Sequence, residues 1–112
     1  MAAPRIVRSA SARRDLDDIW DYLAREAGLE IADAVLARMF EAMYRAADQP
    51  SLYRQRLEYT GSPRQITVFR YAIFYEPLPE EDGIFVWRVL HGVRDLPQHI
   101  RWPARPDDEE NR

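Results

Sequence analysis

In residues 84–95, IFVWRVLHGVRD, the seven positions from Ile84 to Leu90 are apolar except for Arg88. A run this rich in β-branched and aromatic side chains predicts a strand buried on both faces. His91, Gly92, Arg94 and Asp95 follow at once and are not core residues, so a buried strand delivers a polar cluster to one edge of a sheet. Regular alternation would put Ile84, Val86, Arg88 and Leu90 on one face and Phe85, Trp87, Val89 and His91 on the other. If helices cover the second of these faces, Arg88 points to the open one. It would then join Arg94 and Arg64 in a cluster able to bind an anionic or acidic partner. The alternative is that Arg88 pairs with a nearby carboxylate and stabilises the sheet.

Upstream of this strand, 77–83 (PLPEEDG) is a turn, stopped by prolines and a glycine and kept in water by its acids. Gln65–Val68 and Tyr71–Glu76 are expected to be two strands joined by a tight turn near Phe69–Arg70. Residues 50–64, PSLYRQRLEYTGSPR, form a loop that is long for a compact domain. Its Arg54, Arg56 and Arg64 are interleaved with Leu52, Tyr53, Leu57 and Tyr59. That pattern suits single-stranded nucleic acid, or side chains snorkelling over a surface loop.

Two helices precede the loop. Ser9 or Ser11 can cap the first, whose stripe is Ala12, Leu16, Ile19, Trp20, Leu23 and Ala27, and Gly28 stops it. Asp15, Asp17 and Asp18 are expected in its first turns, where the helix dipole favours negative charge. They read as a solvated face rather than a metal site. The second helix runs from Leu29 or Glu30 to about Asp48 and ends before Pro50, with a stripe of Ala32, Leu36, Met39, Met43 and Ala46. With Gly28 between them the two should form an antiparallel hairpin. The apolar surface of the second helix is wide, which suits either a well-packed helix or a groove for a partner's helix. Residues 4–8, PRIVR, supply a first strand. The expected fold is therefore α+β in two layers: an N-terminal strand, the helical hairpin and a three-strand antiparallel meander, with the other sheet face at least partly open.

A chain of 112 residues suits one domain, burying roughly two-thirds of its unfolded surface. We assign 1–102 to that domain and expect 103–112 to be a disordered acidic tail. All 16 basic residues are arginine, and the net charge is −3. The last ten residues hold four acids and two arginines, so the body carries −1, too little positive charge for a protein whose main work is gripping nucleic-acid phosphates. No cysteine is present, so disulfides and thiolate metal sites are excluded. The sequence shows no signal-peptide pattern or membrane span, and the expected location is the cytoplasm. There is no nucleophile motif, P-loop, dinucleotide fingerprint or His-x-x-x-His spacing. His91 and His99 do not suggest a metal set, and no cofactor is expected.

DLDDIWDYLA at 15–24, FRYAIFYE at 69–76 and RVLHGVRDLP at 88–97, in this order and spacing, resemble the ParE toxins of type II toxin–antitoxin systems, in the ParE/RelE superfamily. The resemblance covers about residues 5–100 and implies the small RelE-like fold. It also implies a growth-inhibiting toxin that acts on DNA gyrase by binding rather than catalysis. A ParD-type antitoxin would neutralise it in a hetero-oligomer, and DNA would be reached only through that antitoxin. The rival in the superfamily is the RelE type, a ribosome-dependent mRNA endonuclease. Arg94 matches an arginine of that site, but its tyrosine position falls near Ile100 and no tyrosine follows Tyr75. No lysine is present for the phosphate, and His99 and Trp102 are poor substitutes. At 52–58, LYRQRLE departs from the ParE pattern, with Tyr53–Arg54 where a glycine and a basic residue are usual.

The expected antitoxin contacts are an exposed apolar edge of the hairpin, Trp20, Leu36, Phe40, Met43 and Tyr44, with Tyr53 and Arg56 of the loop. The expected target contacts are Arg88, His91, Arg94 and Asp95. No catalytic residue is assigned.

Overall fold

The computed structural model describes residues 3–92. The element order is β1 (Arg5–Arg8), α1 (Ala10–Ala27), α2 (Leu29–Asp48), β2 (Arg64–Val68), β3 (Tyr71–Pro77) and β4 (Gly83–His91). The strands form one sheet in the order β1-β4-β3-β2, parallel between β1 and β4 and antiparallel elsewhere. The expected α+β order of strand, helical hairpin and antiparallel meander is the observed one. The expected tail, and the stretch holding Arg94, Asp95 and His99, lie outside the described residues.

Strand β4 is central because it is apolar on both faces and so gains most from neighbours on both edges; Ile84, Phe85 and Val86 are wholly buried. Ser9 joins the first helix to this strand. Its Oγ accepts from the Ala12 N–H at 2.9 Å, capping α1, and donates to the Trp87 carbonyl at 2.7 Å, while its own N–H donates to the Val86 carbonyl. One buried hydroxyl thus satisfies a helix end and a strand carbonyl beyond the reach of β1. Helix α1 begins at Ala10, so the acids at 15, 17 and 18 fall past the first turn, which carries none. Their expected role at the helix N-terminus is not the observed one, and Asp15 serves a different purpose described below.

The helices lie on one face. Ala12, Leu16, Met39, Met43 and Ala46 pack there against Ile66, Ile73, Tyr75, Ile84, Val86 and Val89. The opposite face buries Ala72, Phe74, Leu78, Phe85, Trp87 and Leu90. Two expectations are corrected by these clusters. The expected alternation places Leu90 with Val86 and Val89 with Trp87, whereas Val89 faces the helices and Leu90 the other side. The cause is a β-bulge: Tyr75 opposes Val86 and Phe74 opposes Arg88, so three residues of β4 match two of β3 and the faces exchange. The far face is also not open. Tyr59 meets Phe74 edge-on at 5.8 Å, and Gly61 lies against the Trp87 ring, so the connection between α2 and β2 covers that face over Phe74 and Trp87. A Cβ on Gly61 would come within 2.6 Å of Trp87, and φ there is +81°, so a tight turn and a close approach both require glycine.

Candidate functional site

The end of β4 is built around Arg88 and Asp15. Arg88 donates from Nε and Nη2 to the two Asp15 oxygens at 2.7 and 2.9 Å, and Asp15 also accepts the Val89 N–H at 3.0 Å. This fork ties α1 to the strand just past the bulge, with one carboxylate serving both groups. Of the two readings left open for Arg88, pairing with a nearby carboxylate is the observed one. The cluster with Arg64 and Arg94, which supposed helices on the face of Phe85 and Trp87, is not supported, since the helices lie on the face of Ile84 and Val86. Arg64 does not join the fork; on the edge strand β2 its guanidinium donates to the Tyr53 carbonyl at 2.7 Å and holds the loop. His91 opposes Tyr71 in the ladder, and their rings meet edge-on at 5.8 Å. His91 also lines a cleft of about 400 Å³ with Asp18, Tyr22, Val35, Phe69 and Tyr71.

The residues expected to form one antitoxin-facing edge are dispersed. Met43 is completely buried beneath α2 and is not part of any surface, because its position in the stripe points at the sheet rather than the flank. Trp20 is half-buried and its indole N–H donates to Asp33, clasping α1 to α2. Leu36 and Phe40 are half-buried beside the core, and the Arg8 guanidinium lies 5.5 Å from the Phe40 ring centroid, on the flank towards β1. Tyr44 is exposed. Tyr53 packs edge-on to Tyr75 and lines a cleft of about 440 Å³ between α2 and β2, with Arg38, Arg45 and Phe69.

Arg56 belongs to a separate network. It bonds Glu58 at 2.8 and 3.0 Å, Gln65 and the Tyr59 hydroxyl, and its guanidinium stacks 4.8 Å from the Tyr59 ring centroid. The hydrogen bond with Glu58 pushes the Arg56 pKa further up and holds the Glu58 carboxyl below its ordinary value. Burial pushes the Tyr75 hydroxyl up; that hydroxyl donates to the Pro50 carbonyl at 2.9 Å and fixes the start of the loop.

The sequence reading missed Phe69. The ring is 61% exposed and the backbone has φ +54°, yet the pair Phe69–Arg70 looks in sequence like an ordinary two-residue turn. The available signal was an aromatic where glycine, asparagine or aspartate is usual. The ligating role of Asp15 was hidden among the neighbouring acids. Among the described residues no group of three histidines or carboxylates is placed to hold a metal ion, and no helix is long and apolar enough to cross a membrane.

Comparison with known proteins gives one consistent result. The sequence model of a family described as "ParE toxin of type II toxin-antitoxin system, parDE" matches residues 6–96. Toxin ParE1 of Mycobacterium tuberculosis, in strains CDC 1551 / Oshkosh and H37Rv, is 29% identical over 96 residues, covering 86% of this chain and 97% of the relative. A solved chain from the chromosomal ParDE TA system of P. aeruginosa shares the fold with a TM-score of 0.66 at 16% identity, covering 80% of this chain and 96% of that one.

Proposed function

This chain belongs to the ParE toxin family of type II toxin–antitoxin systems, and on that premise we propose that it arrests growth by binding DNA gyrase and is neutralised by a ParD-type antitoxin. The observation that carries the reading is the family match across residues 6–96, which takes in the hairpin, the sheet and the motif at the end of β4. The target surface is the end of β4, with Arg88 and His91 presented there and Arg94 and Asp95 following in sequence. The antitoxin contacts Trp20, Leu36, Phe40 and Tyr44 on the hairpin, and Tyr53 and Arg56 on the loop. It buries their apolar parts and sets carboxylates against the arginines. The site of action is the cytoplasm, where gyrase works on DNA.

Inducing the full chain in a bacterial host tests this. The expected result is growth arrest with broken, gyrase-bound DNA and intact mRNA, relieved by co-expressing the product of the adjoining reading frame. Messages cut on ribosomes, with gyrase unaffected, would instead put the chain with the RelE-type nucleases.

A further inference from the structure

The side chains of β4 change faces near its end, and one carboxylate sits at the change. Val86 faces the helices. Unbroken alternation from there would put Arg88 and Leu90 on the same face and His91 on the far one. The bulge reverses this: Val86 opposes Tyr75 and Arg88 opposes Phe74, so Trp87 is the extra residue. Val89 therefore returns to the helix face and Leu90 goes to the far one. His91 then lies beside Tyr71, their rings 5.8 Å apart, and lines the cleft with Asp18, Ile19 and Tyr22 of α1. Asp15 holds the chain where the reversal is complete. Its Oδ2 accepts both the Arg88 Nε–H at 2.7 Å and the Val89 N–H at 3.0 Å, and its Oδ1 accepts from Arg88 Nη2 at 2.9 Å. Strand β1 ends at Arg8, opposite Val86, and supplies no ladder bond beyond that point. Asp15, Asp18 and Tyr22 are spaced three and four residues apart, so one face of α1 carries both the fork and the cleft wall.

We infer that Asp15 is a positioning residue for the target surface: by fixing Arg88 and the Val89 amide just past the bulge, it keeps His91 on the α1 side of the sheet. This rests on the target reading above, which gives His91 to the surface that meets gyrase. Asp15 itself is not a target contact, because the carboxylate is 14% exposed and both its oxygens are occupied by the strand. Its effect passes through the backbone. Ser9 pins the strand only as far as the Trp87 carbonyl, before the reversal is complete. Val89 and Leu90 are both aliphatic and suit an apolar core on either face. A one-residue slip in a strand sends every side chain beyond it to the opposite face. Losing the fork therefore removes His91 from the surface as a whole, where losing a contact residue would weaken one contact.

The experiment uses the full chain, freed of its antitoxin, with its Asp15→Ala, Asp15→Glu and Asp15→Asn variants, each held below its melting temperature. Nuclear Overhauser cross-peaks between the His91 and Tyr71 rings report where His91 stands. Inhibition of purified gyrase and calorimetric affinity for the adjoining reading frame's product report function. Asp15→Ala should lose the cross-peaks and at least about tenfold in gyrase inhibition, with antitoxin affinity within about twofold of wild type. Asp15→Glu carries the oxygens past the Val89 amide while keeping the charge beside Arg88, and should give the same pattern where alanine proves too unstable to assay. An asparagine oxygen in the place of Oδ2 keeps the bonds from Arg88 Nε and Val89, so Asp15→Asn should retain the cross-peaks and most of the inhibition. Cross-peaks and inhibition both retained in the folded alanine or glutamate variant would overturn the assignment. So would inhibition and antitoxin affinity falling together with the cross-peaks intact, the pattern of a purely structural residue. Cross-peaks lost with full inhibition would overturn it as well, separating His91 from the target while the gyrase reading stands. If the wild type itself leaves gyrase unimpaired, the gyrase reading fails and takes the assignment with it.

Discussion

Two arginine–carboxylate pairs, Arg88–Asp15 and Arg56–Glu58, have almost the same length, 2.7 and 2.8 Å, and opposite consequences. Asp15 is 14% exposed, joins residues far apart in sequence and also satisfies the Val89 amide. Glu58 is 50% exposed and sits two residues from its partner. Water already solvates most of what the Glu58 pair could gain, whereas the Asp15 fork replaces solvent at a bulge, where the ladder leaves an amide to be satisfied. Distance alone therefore does not rank these contacts; desolvation and what else the carboxylate holds do.

The largest effect is expected from Asp15→Ala. It strands a half-buried guanidinium and orphans the Val89 N–H, and should lower unfolding free energy by about 3 kcal/mol in urea titration at neutral pH. Arg88→Ala should cost less, because Asp15 keeps its bond to Val89; an equal loss from both would break this account of the fork.

Next comes Gly61→Ala, which drives a methyl into Trp87 at a positive φ and should cost about 2 kcal/mol. It tests whether ring packing, rather than the Arg56 network, attaches the loop to the far face. Tyr75→Phe loses the bond to Pro50 and should cost about 1 kcal/mol at neutral pH.

The Tyr75 variant also carries a pH signature. Burial raises the Tyr75 pKa in the folded state, so its contribution is fully present below the ordinary tyrosine value and is lost as pH rises through the raised one. The wild type should therefore lose stability at alkaline pH more steeply than Tyr75→Phe, as followed by circular dichroism.

The smallest effect is expected from Glu58→Gln. Glu58 titrates below its ordinary value when folded, so its contribution is present above that ordinary value and disappears as pH falls through the lowered one. Exposure makes that contribution too small to move the midpoint of a urea titration at neutral pH. A clear shift would show that the loop is held by charge after all.

The comparison also shows what a sequence reveals. The helices, the Ser9 cap and the central position of the 84–90 strand follow from local periodicity and capping chemistry, and the observed element order matches. The bulge at Val86–Arg88 has no local signature, because every residue there is an acceptable strand residue in either register. The cover on the far face depends on Tyr59 and Gly61 meeting Phe74 and Trp87 across the chain. For the candidate site, His91 was legible as the residue closing the strand. Met43 was misplaced because a wide apolar stripe does not say which edge points inward. Phe69 was missed because strain is a property of the backbone angle and not of the residue type.

The most direct measurement is a supercoiling assay with purified gyrase and the full chain freed of its antitoxin, run beside translating ribosomes loaded with mRNA. The account predicts that supercoiling stops or cleaved DNA accumulates, that the antitoxin restores activity, and that the mRNA stays whole. Unimpaired gyrase together with cut mRNA would contradict it.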